Sequence, residues 1–234
     1  MSRSLGAVPG ERATGRADAT SLRDAHTPDA VRRRLAAKRS PSYLQDFIYG
    51  AIDGTVTTFA VVAGVEGANL DETIVVILGG ANLIADGFSM AASNFLGTRA
   101  ERQQRERARH EEERHVDVLP EGEREEIRPI FASKGFAGHE LERVVDVITA
   151  NRELWIDTMM TDELGLSPTP RSELRAAAST FVAFVTVGFL PLLVFVYELA
   201  TPGEVAHAFA WSAVMTAAAF VVVGAVKARF VDQP

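Results

Sequence analysis

The stretch YGAIDGTVTTFAVVAGVEG, residues 49–67, is apolar enough to cross a membrane, yet it places Asp53 between Gly50 and Gly54. A charged carboxylate at the centre of a bilayer costs about 3 kcal/mol on insertion scales, so such residues are rare and usually line a pathway. The two glycines follow the G-x-x-x-G spacing, which lets a second helix approach closely. The segment therefore predicts a membrane helix with a polar stripe suited to a helix–helix contact.

Three further segments are apolar over roughly 20 residues, the length that a helix needs to cross a bilayer. Together with the first, the candidate spans are residues 47–65, 73–95, 176–197 and 208–226. Arginine and lysine flank one end of every span, whereas the two short connections between paired spans contain neither. By the positive-inside rule, both termini and the long middle segment are expected in the cytoplasm.

The polar segments complete the predicted organisation. Residues 1–42 have the composition of a mostly disordered cytoplasmic tail, and residues 98–172 predict a cytoplasmic domain of three helices between the spans of 43–97 and 173–234. The first of these helices is expected to continue the second span, with i,i+4 ion pairs such as Glu101–Arg105 and Arg102–Glu106. The fold class expected is all-α, a polytopic membrane protein with four transmembrane helices plus this domain. The chain has no cysteine, which excludes disulfides and thiolate metal sites.

The second span carries a polar face of its own. Asn82, Asp86 and Met90 recur every four residues, so they share one side of the helix. An amide, a carboxylate and a thioether in line suit a partly dehydrated divalent cation. Hard oxygen combined with soft sulfur favours a borderline ion such as Fe²⁺ over Mg²⁺ or Ca²⁺. A single methionine in a membrane helix is normally a packing residue, and only its polar neighbours mark Met90 as a candidate ligand.

The cytoplasmic domain holds a second group of candidate ligands. Its third helix is expected over residues 139–164. Its predicted packing face consists of Leu141, Val144, Val145, Ile148 and Leu154. The helix also carries a methionine pair that we expect to be exposed and therefore interpret as ligands. Two carboxylate-bearing pairs at i,i+3 spacing lie on the first two helices, an arrangement that helical bundles use for iron and manganese, although acidic runs are often only solvated faces. The candidate metal ligands are Glu112, His115, Glu123, Glu126, Met159, Met160 and Glu163.

Several motifs together resemble the vacuolar iron transporter family, which includes the yeast calcium cross-complementer. They are DGTVTTFAVVAG, ANLIADGFSMAASNFLG, the Glu-rich middle segment, WIDTMMTDELGL and VGFLPLL. The resemblance implies a homodimer in the lipid bilayer, with a translocation path between the first two helices of both subunits. It also implies export of Fe²⁺ and similar ions from the cytosol in exchange for protons.

The resemblance also assigns roles to individual residues. Asp53 and Met90 match the aspartate and methionine of the path, and Asp46 falls near an acid at its cytoplasmic mouth. The domain residues that match are Glu112, Glu123, Glu126, Met159, Met160 and Glu163.

The chain departs from the family pattern in three places. Asn82 stands where the family often has a glutamate, with Asp86 one turn on as the substitute. His115 replaces another domain glutamate, and imidazole binds Fe²⁺ and Zn²⁺ only in its neutral form. The chain has four candidate spans where the family usually has five.

The leading interpretation is a metal/proton antiporter and not an enzyme. It has no prosthetic group, and Fe²⁺ or Mn²⁺ is the transported ion, with Zn²⁺ or Co²⁺ as alternatives. We expect a prokaryotic inner membrane and no nucleic-acid partner. One alternative is a membrane-tethered metal buffer or sensor that binds without transport. Another is a ferroxidase, because Glu112 and His115 have the Glu-x-x-His spacing of di-iron bundles; the only other such pair, Glu204 and His207, is predicted near the opposite face.

Overall fold

A computed structural model describes residues 22–36, 41–166, 171–201, 203 and 205–231. The chain divides into two compact units, residues 1–40 and residues 41–234. In the first unit, helix α1 spans Pro28–Ala36 and buries none of its residues. The tail expected to be mostly disordered therefore contains a helix in its described part. The prediction for residues 1–21 and 37–40 falls outside the described residues.

The second unit contains the expected membrane helices. Within the described residues, four helical segments are long and apolar enough to cross a membrane: Leu44–Gly67, Glu72–Val118, Glu173–Ala200 and Ala208–Phe230. We name the first two helices α2 (Leu44–Gly67) and α3 (Glu72–Val118). The prediction of an all-α, four-span protein is confirmed.

Helix α2 packs backbone to backbone against α7 (Glu173–Gly188), which begins the third span. A Cβ atom at Gly50 would lie 2.3 Å from the carbonyl oxygen of Thr180, and one at Gly54 would lie 2.4 Å from that of Phe184. The predicted glycine contact is therefore real, but its partner is a helix of the same chain. It therefore gives no support to a second subunit.

The third span is interrupted inside the apolar region. A 3₁₀ turn, Leu190–Leu192, separates α7 from α8 (Leu193–Ala200). Pro191 has no backbone N–H and its ring clashes with the preceding helical turn, which accounts for the break. Its carbonyl oxygen accepts a hydrogen bond from Oγ of Ser212 on α9 (Ala208–Val231) at 2.8 Å. The break is thus satisfied within the protein, as burial in lipid requires.

Helix α3 is much longer than a bilayer is thick. Its 47 residues correspond to about 70 Å of helix, against an apolar bilayer core of about 30 Å. The polar second half therefore stands outside the membrane, which confirms that it continues the second span. The expected ion pair between Arg102 and Glu106 forms at 3.0 Å.

Three further helices and a π-helical turn complete the polar domain that the second half of α3 begins. They are α4 (Pro120–Ser133), α5 (Gly138–Thr149), α6 (Arg152–Thr158) and the turn Met159–Glu163. The prediction of one continuous helix over 139–164 is wrong. Asn151 has extended backbone angles, and its side chain accepts a hydrogen bond from the Leu154 N–H at 3.2 Å, so it caps a new helix instead of continuing the old one.

The helix break changes which residues form the core of this domain. Val145 is buried as expected, but Leu154, assigned to the same packing face, is 41% exposed. Trp155 and Ile156 are buried in its place. The apolar cluster consists of Val116, Ile127, Val145, Trp155, Ile156, Met159 and Met160. It holds α4, α5 and α6 against the cytoplasmic half of α3.

An arginine on α3 reinforces this packing from the surface. Arg109 donates to Asp157 at 2.7 Å and to Glu153 at 2.5 Å, both on α6, and pairs with Glu113 on its own helix at 3.2 Å. These contacts orient α6, which leads directly into the π-helical turn.

Candidate metal-binding sites

Three of the predicted ligands converge where α3 ends and α4 begins. Glu112, His115 and Glu123 each offer one ligand atom, and these atoms lie within 4.8 Å of one another. The Nδ1 atom of His115 is 3.4 Å from Oε1 of Glu123. The connection is a single residue, Leu119, followed by Pro120 in the favoured first position of α4. This tight turn lays the start of α4 beside the end of α3.

The carboxylates of this cluster are poorly solvated. Glu112 is 7% exposed and Glu123 is 5% exposed, whereas His115 faces solvent. One oxygen of each glutamate, Oε2, is buried without a hydrogen-bond partner among the described residues. A buried anionic oxygen without a partner is costly. A divalent cation is the kind of group that would compensate both oxygens at once.

Burial and mutual repulsion also change the acidity of the cluster. Burial, followed by the charges of Glu126, Glu112 and Glu163, raises the pKa of Glu123 to about 7. Burial likewise raises the pKa of Glu112, which lies on the cytoplasmic part of α3, and that of Glu163. The site therefore holds protons near neutral pH when no cation is bound, and a metal ion must displace them.

Two further predicted ligands lie at the rim of the cluster. Glu126 and Glu163 are exposed, and their charges reach Glu123 from α4 and from the π-helical turn. Both carboxylates are therefore close enough to influence the charge of the cluster.

The methionine pair is not exposed as we expected. Met159 is fully buried and Met160 is 2% exposed, and both belong to the apolar cluster of the domain. The argument that an exposed pair must serve as ligands is therefore wrong, because packing accounts for the burial of both side chains. That Met159 and Met160 also bind a metal ion stays a prediction.

The polar residues of the first two spans do not converge into a closed site. Asp53, Asn82 and Met90 are half-buried, and Asp86 is exposed on the surface of α3. The Nδ2 atom of Asn82 on α3 donates to Oγ1 of Thr57 on α2 at 3.3 Å. These residues of one chain therefore form an open polar surface in the membrane region and do not enclose a site.

Asp46 lies at the cytoplasmic end of α2 and is only 5% exposed. It pairs with the guanidinium of Arg171 and accepts a hydrogen bond from Nδ2 of Asn94 at 2.9 Å. These residues and Met90 line a cleft of about 400 Å³. Sequence reasoning missed Arg171 as a partner of Asp46, because its only signal was its place in a positively charged flank.

One ligand cluster stands out among the described residues. Among them, Glu112, His115 and Glu123 form the one group of three or more histidine and acidic side chains whose ligand atoms converge. The second Glu-x-x-His pair cannot be placed, because Glu204 lies outside the described residues.

Comparison with known proteins points in one direction. The sequence profile described as the VIT family matches residues 44–234. A vacuolar iron transporter of Toxoplasma gondii is 32% identical over 231 residues, covering 92% of this chain and 76% of that protein. Vacuolar iron transporter 1 of Arabidopsis thaliana is 36% identical over 151 residues, covering 64% of this chain and 60% of that protein. Vacuolar iron transporter 2 of rice, Oryza sativa subsp. japonica, is 33% identical over 188 residues, covering 80% and 75%.

Proposed function

Because the chain belongs to the VIT family, we propose that it moves Fe²⁺ or Mn²⁺ out of the cytosol in exchange for protons. Its relatives that are named vacuolar iron transporters support metal transport by a multi-pass membrane protein. The ion, the direction and the coupling to protons are our proposal. Zn²⁺ and Co²⁺ are alternative cargo, since a cluster of carboxylates and imidazole also binds them.

The observation that carries the proposal is the buried cluster of Glu112, His115 and Glu123 on an extension of a membrane helix. Met90 and Glu112 are 22 positions apart on α3, which corresponds to about 33 Å along the helix axis. The cluster therefore lies outside the bilayer, on the side at which the polar surface opens to the cytosol, and an ion released from it still has to cross this distance to reach Met90. Capture raises the local concentration of the ion on this side of the bilayer.

The exposed acid in the second span supports assembly into a homodimer. Asp86 is exposed on a helix that crosses the membrane, and Asp53 is half-buried on the neighbouring helix. An ionised carboxylate in contact with lipid is unfavourable, so such residues face a protein interior or a water-filled cavity. A second copy of the chain that covers α2 and α3 would give these acids a wet seam through which cations pass.

Exchange with protons follows from the chemistry of the same acids. Carboxylates bind a metal ion only after they lose their protons. A cation that reaches Asp53 and Asp86 therefore releases protons, and protons from an acidic far side release the cation. Met90 adds a soft donor that favours Fe²⁺ over Mg²⁺.

The proposal is tested with purified protein in vesicles that have an acidic lumen and the cytoplasmic face of the protein outward. Wild-type protein should take up Fe²⁺ while the lumen loses protons, and Asp53→Asn should abolish both signals. Thr186→Val is the matched control, because this exposed hydroxyl on α7 bonds only to its own helix, at Val182. Undiminished uptake by Asp53→Asn would overturn the mechanism.

The same experiment separates transport from storage. A buffer or sensor would bind metal through Glu112 and Glu123 but would show no uptake by wild-type vesicles. Binding without flux would therefore assign the chain to that second class.

A further inference from the structure

The acid at the cytoplasmic mouth already holds a cation that belongs to the chain. Asp46 is almost completely buried, and one of its carboxylate oxygens forms an ion pair with the guanidinium of Arg171. Its other oxygen accepts a hydrogen bond from Asn94 at 2.9 Å. Both carboxylate oxygens are therefore engaged, so a metal ion that enters at Asp46 has to replace one of these partners.

Of the two partners, the guanidinium is the one that carries charge and comes from outside the membrane helices. Arg171 directly precedes α7 and stands in the connection from the cytoplasmic domain to the third span. It lies over the ring of Tyr43, 5.7 Å from the centroid. The Ser172 N–H also donates to the hydroxyl of Tyr43 at 3.1 Å, which holds the connection at the start of α2.

The ion pair between Asp46 and Arg171 leaves part of the guanidinium without a partner. The Nε atom of Arg171 is buried without a hydrogen-bond partner among the described residues. A buried donor without a partner lowers the stability of the arrangement that buries it. The guanidinium therefore pairs with Asp46 at the cost of burying its Nε–H group without a partner. Displacing the guanidinium would remove that cost.

The cleft offers the guanidinium a place to go. Glu101 lines the same cleft of about 400 Å³ and is exposed to solvent. Met90, a candidate ligand of the path, lines it as well. An ion that takes the position of the guanidinium would therefore meet Asp46 and Met90 in one space, while Arg171 pairs with an acid at the rim.

We propose that Arg171 is a tethered competitor for the acid at the mouth, which an incoming divalent cation must displace from Asp46. The inference deepens the proposed function and depends on it. Coulomb attraction scales with charge, so an ion of charge +2 gains about twice the attraction to Asp46 that the guanidinium gives up. A monovalent ion gains no such advantage and also forfeits the hydrogen bond of the guanidinium. Arg171 therefore sets the apparent affinity of the entrance and favours divalent ions.

The test measures initial Fe²⁺ uptake into vesicles against Fe²⁺ concentration. Arg171→Gln removes the competitor, so the concentration for half-maximal uptake should fall at least about threefold, the equivalent of ~0.7 kcal/mol. Arg171→Lys keeps the charge and should lie between Arg171→Gln and wild type. Arg99→Gln is the matched control, since it removes an equal charge from an exposed position on α3, and it should shift the value by much less.

A double variant shows whether the effect passes through Asp46. In the Asp46→Asn background, Arg171→Gln should no longer lower the half-maximal concentration. An unchanged or raised value for Arg171→Gln alone, or an equal shift in Arg99→Gln, would overturn the proposal.

A binding measurement keeps this inference separate from the transport proposal. In full-length protein carrying Glu112→Gln and Glu123→Gln, Mn²⁺ binding at the mouth should tighten when Arg171→Gln is added. If wild-type protein shows no uptake but this binding shift occurs, the transport proposal fails and the competition at Asp46 stands. If uptake occurs without any effect of Arg171→Gln on uptake or binding, only the competition fails.

Discussion

The acids of the cytoplasmic domain and those of the membrane spans are arranged in opposite ways. In the domain, Glu112 and Glu123 come from consecutive helices and meet at a buried point with His115. In the membrane spans, Asp53 is half-buried and Asp86 is exposed, and neither side chain forms a hydrogen bond or ion pair with a neighbouring helix among the described residues. One chain thus brings the acids of the domain together, whereas it leaves those of the membrane spans apart.

The difference follows from how each region uses its packing surfaces. The domain folds α4 back through a one-residue connection and closes an apolar cluster beneath the acids. In the membrane, the glycine face of α2 packs closely against α7. That contact turns Asp53, one position before Gly54, to the flank of the packed bundle. A second copy that covers Asp53 and Asp86 is what we propose for the membrane region, whereas Glu112, His115 and Glu123 meet within one chain.

The largest effect should come from opening the glycine contact. Gly54→Ala would place a methyl group about 2.4 Å from the backbone oxygen of Phe184, which cannot move aside as a side chain could. We expect a loss of about 3 kcal/mol, at the upper end of overpacking costs. Gly64→Ala on the same helix meets no atom within 4 Å and should be neutral or stabilising by up to about 1 kcal/mol. Thermal unfolding in detergent measures both.

Equal unfolding temperatures for these two alanine variants would contradict the contrast drawn between the membrane spans and the domain. They would mean that the glycine face is free in the folded chain and available to a second subunit.

The next largest effect should be on metal affinity. Glu123→Gln removes a buried charged ligand, and we expect Mn²⁺ or Fe²⁺ to bind about thirtyfold more weakly, a loss of ~2 kcal/mol. Glu121→Gln, an exposed acid in the same first turn of α4, should change the affinity little. Isothermal titration of the purified full-length protein measures both. A similar loss in the two variants would show that the acidic surface binds metal diffusely and that the cluster has no special role.

A smaller effect should appear in the pH dependence of stability without metal. The pKa of Glu123 is raised from 4.5 to about 7 in the folded protein, so the folded state keeps a proton that the unfolded chain releases. The stability that Glu123 contributes should therefore be fully present below about pH 4.5 and be lost as the pH rises through about 7. Because Glu112 and Glu163 titrate with it, the share of Glu123 is on the order of 1 kcal/mol.

Unfolding temperatures of metal-free wild type and Glu123→Gln between pH 5 and pH 8 check this effect. The wild type should lose more stability than the variant across this range, and added Mn²⁺ should restore it at pH 8. A wild type that becomes more stable relative to the variant as the pH rises would contradict the assigned direction.

The smallest effect should come from the methionine pair. Met159→Leu conserves volume in the apolar cluster and should cost less than about 1.5 kcal/mol. If the thioether also contacts the ion, Fe²⁺ affinity should fall by about threefold, since a neutral sulfur contributes less than a carboxylate. Titration with Fe²⁺ measures this change in a variant that remains folded. Unchanged affinity would assign Met159 to packing alone.

Much of this protein could be predicted from sequence because its strongest signals are local. Apolar runs of about 20 residues mark the spans, and Glu112, His115 and Glu123 were identified by their spacing on successive helices. The helix break at Asn151 was missed because an asparagine inside an amphipathic pattern is a weak signal, and the missed break led to Leu154 being placed in the core. The burial of the methionine pair was missed for the same reason.

The sequence by itself determined the number of spans, the residue types at the two groups of acids and the membership of the family, because these depend on hydropathy, spacing and local motifs. Only the tertiary structure decided that Gly50 and Gly54 pack against α7 and that Arg171 occupies Asp46. These contacts join residues more than 120 positions apart in the chain. Nothing in a one-dimensional pattern records which distant surface fills a glycine groove or neutralises a buried acid, because that choice is made by the packing of the whole bundle.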